Sequence, residues 1–411
     1  MDKKSLISFD NTELAFQYKS DRELKKAHFL FTLMGKSWIV KLGTRLAPWA
    51  LRCGLPVKGL IRNTIFRQFV GGETMEETAP VAEMLARFQV KVILDYGVEG
   101  KEGEENFDRA CEQFLKVIHY ASTQPNIPFM SVKITGFARF ALLERLHALM
   151  MERPGVLSVR LAEAVASLEA AAQSEWQRVC DRVDRICATA ARSGIAVSVD
   201  AEETWIQEPL DALTLQLMER YNRERPVVYN TTQHYRTDRQ AFLVSCLERA
   251  KERQFILGAK LVRGAYMEKE RRRAASLGYP SPIMPDKAST DRDFDASVRF
   301  CIDHIDRIAL VVASHNERSN LMAAELLLER GLPLNHPHVH WSQLYGMSDN
   351  ITFNLAHAGC SVSKYLPFGP IQDVIKYLMR RAQENTSVKG QTGRELALIR
   401  KELKRRHPAR A

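Results

Sequence analysis

A chain of 411 residues, 45% hydrophobic and 26% charged, can bury a full core and is long enough for one large domain with an accessory segment, which makes it a soluble globular protein by class. Its net charge of +10 invites an anionic partner, but the excess sits in the terminal RKELKRRHPARA (400–411) and in residues 36–67, which hold seven Lys/Arg and no acid; no motif of a nucleic-acid reader accompanies either cluster, so no nucleic-acid partner is expected. Seven scattered cysteines, odd in number and without a C-x-x-C pair, argue against a disulfide framework or a structural zinc site and imply a reducing compartment.

In chain order, MDKKSLISFDNTELAF has no apolar run behind its lysines, and nowhere do about 18 uncharged apolar residues follow one another, so neither a cleaved signal nor a membrane span is expected. Residues 1–87 read as a helical N-terminal region. Within it, KSWIVKLGTRLAPWALRCGLPVKGLIRNTIFR (36–67) mixes Trp38, Trp49, Leu and Ile with basic residues, as interfacial helices do. Such a segment can pack an apolar face on the main domain, make peripheral membrane contact, or do both.

From about residue 88 the chain alternates. β-Branched runs stand at VKVILDYG (90–97), FMSVKITG (129–136), GIAVSVDAEE (194–203), PVVYNTTQ (226–233), ILGAKLVRGAY (256–266), RIALVVASHN (307–316), HVHWSQLYGM (338–347) and CSVSKYLPFG (360–369). Segments of helical period lie between them, such as DRQAFLVSCLERAKERQ with Asp238 placed to cap its start. The gap between Phe137 and Ser193 has room for two or three helices. Eight such units predict a (β/α)8 TIM-type barrel over residues 88–390, followed by a basic tail at 391–411.

Chemistry in this fold belongs at the carboxyl ends of the strands. Those ends are polar here: Lys133; Asp200, Glu202 and Glu203; Asn230 and Gln233; Lys260 and Arg263; His315 and Asn316; Gln343; Tyr365. After the eighth strand, the helix in YLPFGPIQDVIKYLMRRAQEN puts Tyr377, Arg380, Arg381 and Glu384 within an arc of roughly 100°, with Ile375, Leu378, Met379 and Ala382 opposite. In isolation that is a solvated charged face.

KLVRGAYMEKE, ASHN, QLYGM, YLPFG and YLMRRAQEN, in that order, resemble the proline dehydrogenases, flavoenzymes that begin proline catabolism. The resemblance covers roughly residues 88–390 and implies the single-function form: oxidation of L-proline to 1-pyrroline-5-carboxylate by hydride transfer to FAD, electrons passing to a quinone, and a separate pyrroline-5-carboxylate dehydrogenase downstream. The cysteine usage and the lack of a signal lead to the expectation of a cytoplasmic enzyme, with peripheral contact on the inner face of the membrane left open by residues 36–67. By resemblance, Lys133, Arg380 and Arg381 bind the substrate carboxylate; the i,i+4 spacing gives Glu384 the role of steadying Arg380. Tyr365, Tyr377, Tyr266 and Leu261 form the pocket, and Asp200 is the acidic residue near the ring. Lys260, Val262, Gly264, Asn230, Lys287, Asp291, Ser314, His315, Asn316 and Gln343 are the implied FAD contacts. The chain carries lysine first and arginine fourth in KLVRG where some members reverse them, and ASHN where threonine is usual.

Two alternatives stay open. Hydroxyproline oxidation belongs to the same family. A metal-dependent barrel hydrolase would rest on HPHVH, where His336, His338 and His340 alternate, but at the start of the seventh strand rather than its end. No metal is expected.

Overall fold

The computed structural model describes residues 7–53, 55–97, 102–387 and 391–407. Eight parallel strands close into a barrel in chain order: β1 (Lys91–Tyr96), β2 (Phe129–Val132), β3 (Ala196–Val199), β4 (Val228–Gln233), β5 (Leu257–Val262), β6 (Ile308–Ala313), β7 (Val339–Leu344) and β8 (Val362–Phe368). One strand lies in each β-branched run, and the fold is the expected (β/α)8 barrel. Both faces of these strands are buried, which is why they read as apolar runs rather than as alternation.

Three helices follow β2 (Phe140–Met151, Leu157–Ala166 and Ala170–Ser193), and two follow β5 (Met267–Leu277 and Lys287–Asp303). Asp286 caps the last of these, its Oδ1 accepting the Ser289 amide at 2.7 Å. Asp238 stands at the cap position of the helix Arg239–Arg253 but makes no cap bond. Its carboxylate takes the guanidiniums of Arg236, at 2.7 Å, and Arg239 instead; charge-assisted bonds to two cations outweigh one to a neutral amide.

The chain divides into two compact units. One comprises 100–314 and 322–340 and carries β2 to β6; the other comprises 1–99, 315–321 and 341–411 and carries β1, most of β7, and β8. In the first, Phe129 packs its ring 5.4 Å from Tyr229 and 5.0 Å from His340. His338 donates from Nδ1 to the Ile305 carbonyl at 2.6 Å, and His336 Nδ1 accepts the His338 amide at 3.2 Å. The HPHVH imidazoles thus serve ring packing and backbone bonds at the amino end of β7. Among the described residues no group of three His, Cys, Asp or Glu is placed to hold a metal ion.

In the second unit the residues before β1 form helices that include Asp21–Met34, Ser37–Arg52 and Met75–Ala86. Its Leu24, Phe31 and Phe69 share a core with Leu378 of the helix Ile371–Ser387 and with Leu398 and Ile399 of a further helix, Gln391–Arg406. The expected basic tail is therefore a docked helix as far as Arg406, because Leu396, Ile399 and Leu403 recur at helical spacing and supply an apolar stripe. Much of its charge is paired internally: Arg405 and Arg406 with Glu402 at 2.9 and 2.7 Å, and Arg394 with Glu317 at 2.8 Å. Residues 408–411 lie outside the described residues.

Candidate active site

Lys133 follows β2 directly, Asp200 follows β3, and Lys260 lies near the end of β5. Lys260 Nζ donates to Asp200 Oδ1 at 2.5 Å, and Lys133 Nζ lies 3.3 Å from Oδ2. Reaching β3 from β5 means passing β4, so the Lys260 side chain runs through the barrel interior. Burial alone would raise the Asp200 pKa, but the Lys260 and Lys133 ammoniums and the Ser131 hydroxyl outweigh it and hold the carboxyl well below the usual range. An ionised Asp200 is therefore the common anchor of two lysines.

Because side chains alternate along a strand, Lys260 also orients its neighbours. Its register partner Thr231, and Gln233 two residues on, face inward with it; Asn230, Thr232 and Leu261 face the helices. Asn230 confirms this by donating to Asp211 of the helix Thr204–Tyr221 at 2.9 Å. Gln233 donates to the Glu202 carbonyl at 2.7 Å, while the Glu202 carboxylate receives the Thr135 hydroxyl at 2.8 Å and the Thr135 amide at 3.3 Å. Glu202 thereby ties the turn after Lys133 to the end of β4. Burial pushes its pKa up to about 7.

Just past β5, Arg263 lies 4.3 Å from the Phe294 ring centroid and donates to Asp291 at 2.6 Å and to the Ser314 hydroxyl at 2.7 Å. Lys287 pairs with the other Asp291 oxygen. Burial would raise the Asp291 pKa; the two cations reverse the sign and hold it low. Gly264 has φ +126°, and a Cβ there would come within 2.5 Å of the Tyr235 ring, so this glycine is demanded by packing inside the fold. Val262 and Tyr266 flank this stretch, both half-buried.

In the other unit Tyr365 is a half-buried residue of β8, in register with Leu344 and Ile93. Its neighbour Lys364 points the opposite way, to Asp349 at 2.8 Å, which leaves Tyr365 on the inner face. In the helix Ile371–Ser387, Ile371, Val374, Leu378 and Ala382 join the core. On the other side Tyr377 and Arg380 are half-buried, and Arg381 is only 6% exposed, its guanidinium 5.2 Å from the Tyr377 ring centroid. That is not a solvated charged face. The Glu384 side chain lies outside the described residues.

Three expected contacts face outward in this geometry. Asn230 and Leu261 sit on the outer face of their strands, one residue out of phase with Lys260. Gln343, in register with Lys364, also faces outward, accepting the Thr352 hydroxyl at 2.9 Å and donating to Asn320 at 3.3 Å. Asn316 accepts the Ser319 amide at 3.2 Å, capping the helix Glu317–Glu329. His315 bonds Ser348 at 2.8 Å. Arg263, Gln233 and Glu202, polar strand-end residues to which the resemblance gives no role, are tied into this region by the bonds above. The period of two would have found Gln233, since positions 230 and 233 cannot share a strand face.

A family model for proline dehydrogenase matches residues 79–394. The chain belongs to the proline dehydrogenase family. Among its relatives, the "Carbapenem antibiotics biosynthesis protein CarD" of Pectobacterium carotovorum is 35% identical across 89% of this chain and 91% of its own. "Proline dehydrogenase 1, mitochondrial" of Dictyostelium discoideum is 31% identical across 85% of this chain and 66% of its own, and "Hydroxyproline dehydrogenase" of Xenopus laevis is 31% identical across 95% and 88%. Among solved structures, proline utilization A from Bdellovibrio bacteriovorus, inactivated by N-propargylglycine, superposes with a TM-score of 0.71 at 18% identity; the match covers 94% of this chain but 40% of that longer one, and shows the shared barrel. As a proline dehydrogenase the chain is an oxidoreductase.

Proposed function

We propose that this proline dehydrogenase oxidises L-proline to 1-pyrroline-5-carboxylate, with FAD taking the hydride and a quinone taking the electrons onward. The observation that carries the substrate is the burial of Arg381 beside Arg380. Guanidiniums stay charged at any working pH, and a pair held largely out of water suits a small carboxylate bound bidentately.

Oxidation takes a hydride from C5 of proline and a proton from its nitrogen, leaving a C=N bond. When bound, FAD supplies the two-electron acceptor at C5. Arg380, Arg381 and Lys133 bind the carboxylate and so fix the distance and angle of C5, a gain that comes from orientation. Tyr365, Tyr377 and Tyr266 are assigned to the walls of the substrate pocket. Asp200 holds Lys133 and Lys260 in place, and the nitrogen proton passes to solvent. Gln233 and Lys260 offer an amide and a cation to the polar edge of a ring system, while Arg263, Lys287 and Ser314 offer two cations and a hydroxyl suited to a diphosphate. These donors fit FAD, with Val262, Gly264 and Asp291 beside them in the same unit.

The relative named for hydroxyproline favours a second reading. Against it stands Tyr365 on the inner face of β8, where a ring hydroxyl would meet a phenyl wall. We also place the enzyme in the cytoplasm, its product going to a separate pyrroline-5-carboxylate dehydrogenase. Among the described residues no helix is long and apolar enough to cross a membrane. The test is the absorption spectrum of the purified protein, reconstituted with FAD, before and after anaerobic addition of L-proline. Flavin bands that bleach with proline are expected; a protein that takes up no flavin, or whose flavin stays oxidised, overturns the proposal.

A further inference from the structure

The helix Ser37–Arg52 carries two apolar faces, and only one of them is used. Val40 and Ala50 are buried, with Ala47 and Leu51 packed against the core of their unit. On the opposite side Trp38 is 66% exposed, Leu42 50%, Leu46 49% and Trp49 58%. At 100° per residue these four occupy a contiguous arc of roughly 80°, and Arg45 and Lys41, both exposed, extend the same arc along one edge to roughly 140°. Beyond the helix Leu55 and Leu60 are exposed as well, as are Lys36 and Lys58. No acidic residue occurs anywhere from 36 to 67.

Two tryptophans and two leucines in one exposed stripe are more than scattered surface hydrophobics, and their flank is of one charge sign. We propose that this face is a docking site for an anionic phospholipid surface. The indoles and leucines enter the boundary between headgroups and acyl chains with the helix lying in the plane of the membrane. Lys41 and Arg45 meet lipid phosphates from the edge of the stripe, their long side chains reaching up from the apolar level. A protein partner complementary to the face would need acidic groups of its own along that edge. A second copy of this face would bring Lys41 and Arg45 against like charge, which disfavours self-association. In the C-terminal helix Arg405 and Arg406 pair with Glu402 and Arg394 with Glu317, which lowers the charge that helix adds to the field. The inference rests on the surface of the chain and not on the substrate reading.

The full-length FAD-loaded protein is floated at low salt with vesicles of phosphatidylcholine, alone or with about a third phosphatidylglycerol, and turnover is followed with a soluble electron acceptor. Flotation with the anionic vesicles, weakening with salt, and a blue shift of tryptophan emission are expected. Trp38→Ala with Trp49→Ala should reduce partition at least roughly ten-fold, as should Lys41→Glu with Arg45→Glu, while the melting temperature and turnover with the soluble acceptor stay unchanged. Wild type that stays with the unbound fraction overturns the proposal. So does a tryptophan double variant that floats as well as wild type, or a dimer in light scattering that the double variant dissolves, since a second copy would then be what covers the face. Loss of proline turnover with retained flotation would sink the substrate reading and leave the docking surface standing.

Discussion

Asp200 carries two lysines on one carboxylate, and this sets what substitution there should do. With Asp200→Asn the Lys260 ammonium, buried at the barrel interior, faces an amide, and removing one partner of a buried pair costs about 3–5 kcal/mol. Urea denaturation should show that loss, and Lys133 should lose its position with it. Arg380→Met or Arg381→Met should instead leave flavin content and stability nearly unchanged. Each removes a charge-assisted bond worth about 1.5–3 kcal/mol, so KM for proline should rise roughly ten- to a hundred-fold in steady-state kinetics. Unaltered kinetics in both variants would return the pair to a structural role. Tyr365→Ser should narrow the preference for proline over trans-4-hydroxyproline, read as a ratio of kcat/KM values, mainly by weakening proline. A wild-type preference for hydroxyproline would overturn the role given to Tyr365.

The strands and helices explain which side chains reach the site. A strand shows alternate residues to one face, so KLVRG offers Lys260 and Val262 on one side and Leu261 on the other; a reading that puts all three in one pocket breaks the period. The same rule separates Asn230 from Gln233 within YNTTQ. Gln343 was not open to that test, because which face it takes depends on register with Lys364, a fact of pairing between strands. The terminal helix Gln391–Arg406 is the other element whose role changes. Charge made it look like a tail, yet Leu398 is buried in the core it shares with Leu378. Leu398→Ala should therefore cost about 2–4 kcal/mol in chemical denaturation, where a true tail residue would cost nothing measurable.

For the whole molecule, buried carboxyls make stability depend on pH in a direction that can be worked out. Burial raises both Glu202 and Glu395 from 4.5 to about 7, and in Glu395 nearby Asp349 adds to the rise. A carboxyl raised in the folded state binds its proton more tightly there than in the unfolded chain, so its contribution is fully present below about pH 4.5 and is lost as pH climbs through 7. Glu104, held down to about 2 first by Arg178 and also by Arg182, works the other way and protects until the solution is strongly acid. The melting temperature should peak near pH 4.5 and fall as the pH climbs to about 7. Glu395→Gln, which keeps an oxygen for the Ser348 amide, should flatten that decline. An unchanged slope in the variant would mean that Glu395 does not titrate in this range.

By itself the sequence determined the barrel, the count and order of its strands and the family, because β-branched runs, helical periods and ordered motifs are local and written along one chain. It also placed Lys133, Asp200, Lys260, Tyr365 and the arginine pair on the right elements. Only the tertiary structure decided that Arg381 is buried, that Arg263 gathers Asp291 and Ser314, and that the C-terminal helix is docked. It also decided that Trp38 and Trp49 stay outside while Val40 and Ala50 go in. Those outcomes depend on which surfaces meet, and an amphipathic helix with two apolar faces does not say which one the core will take until the packing partners are in place.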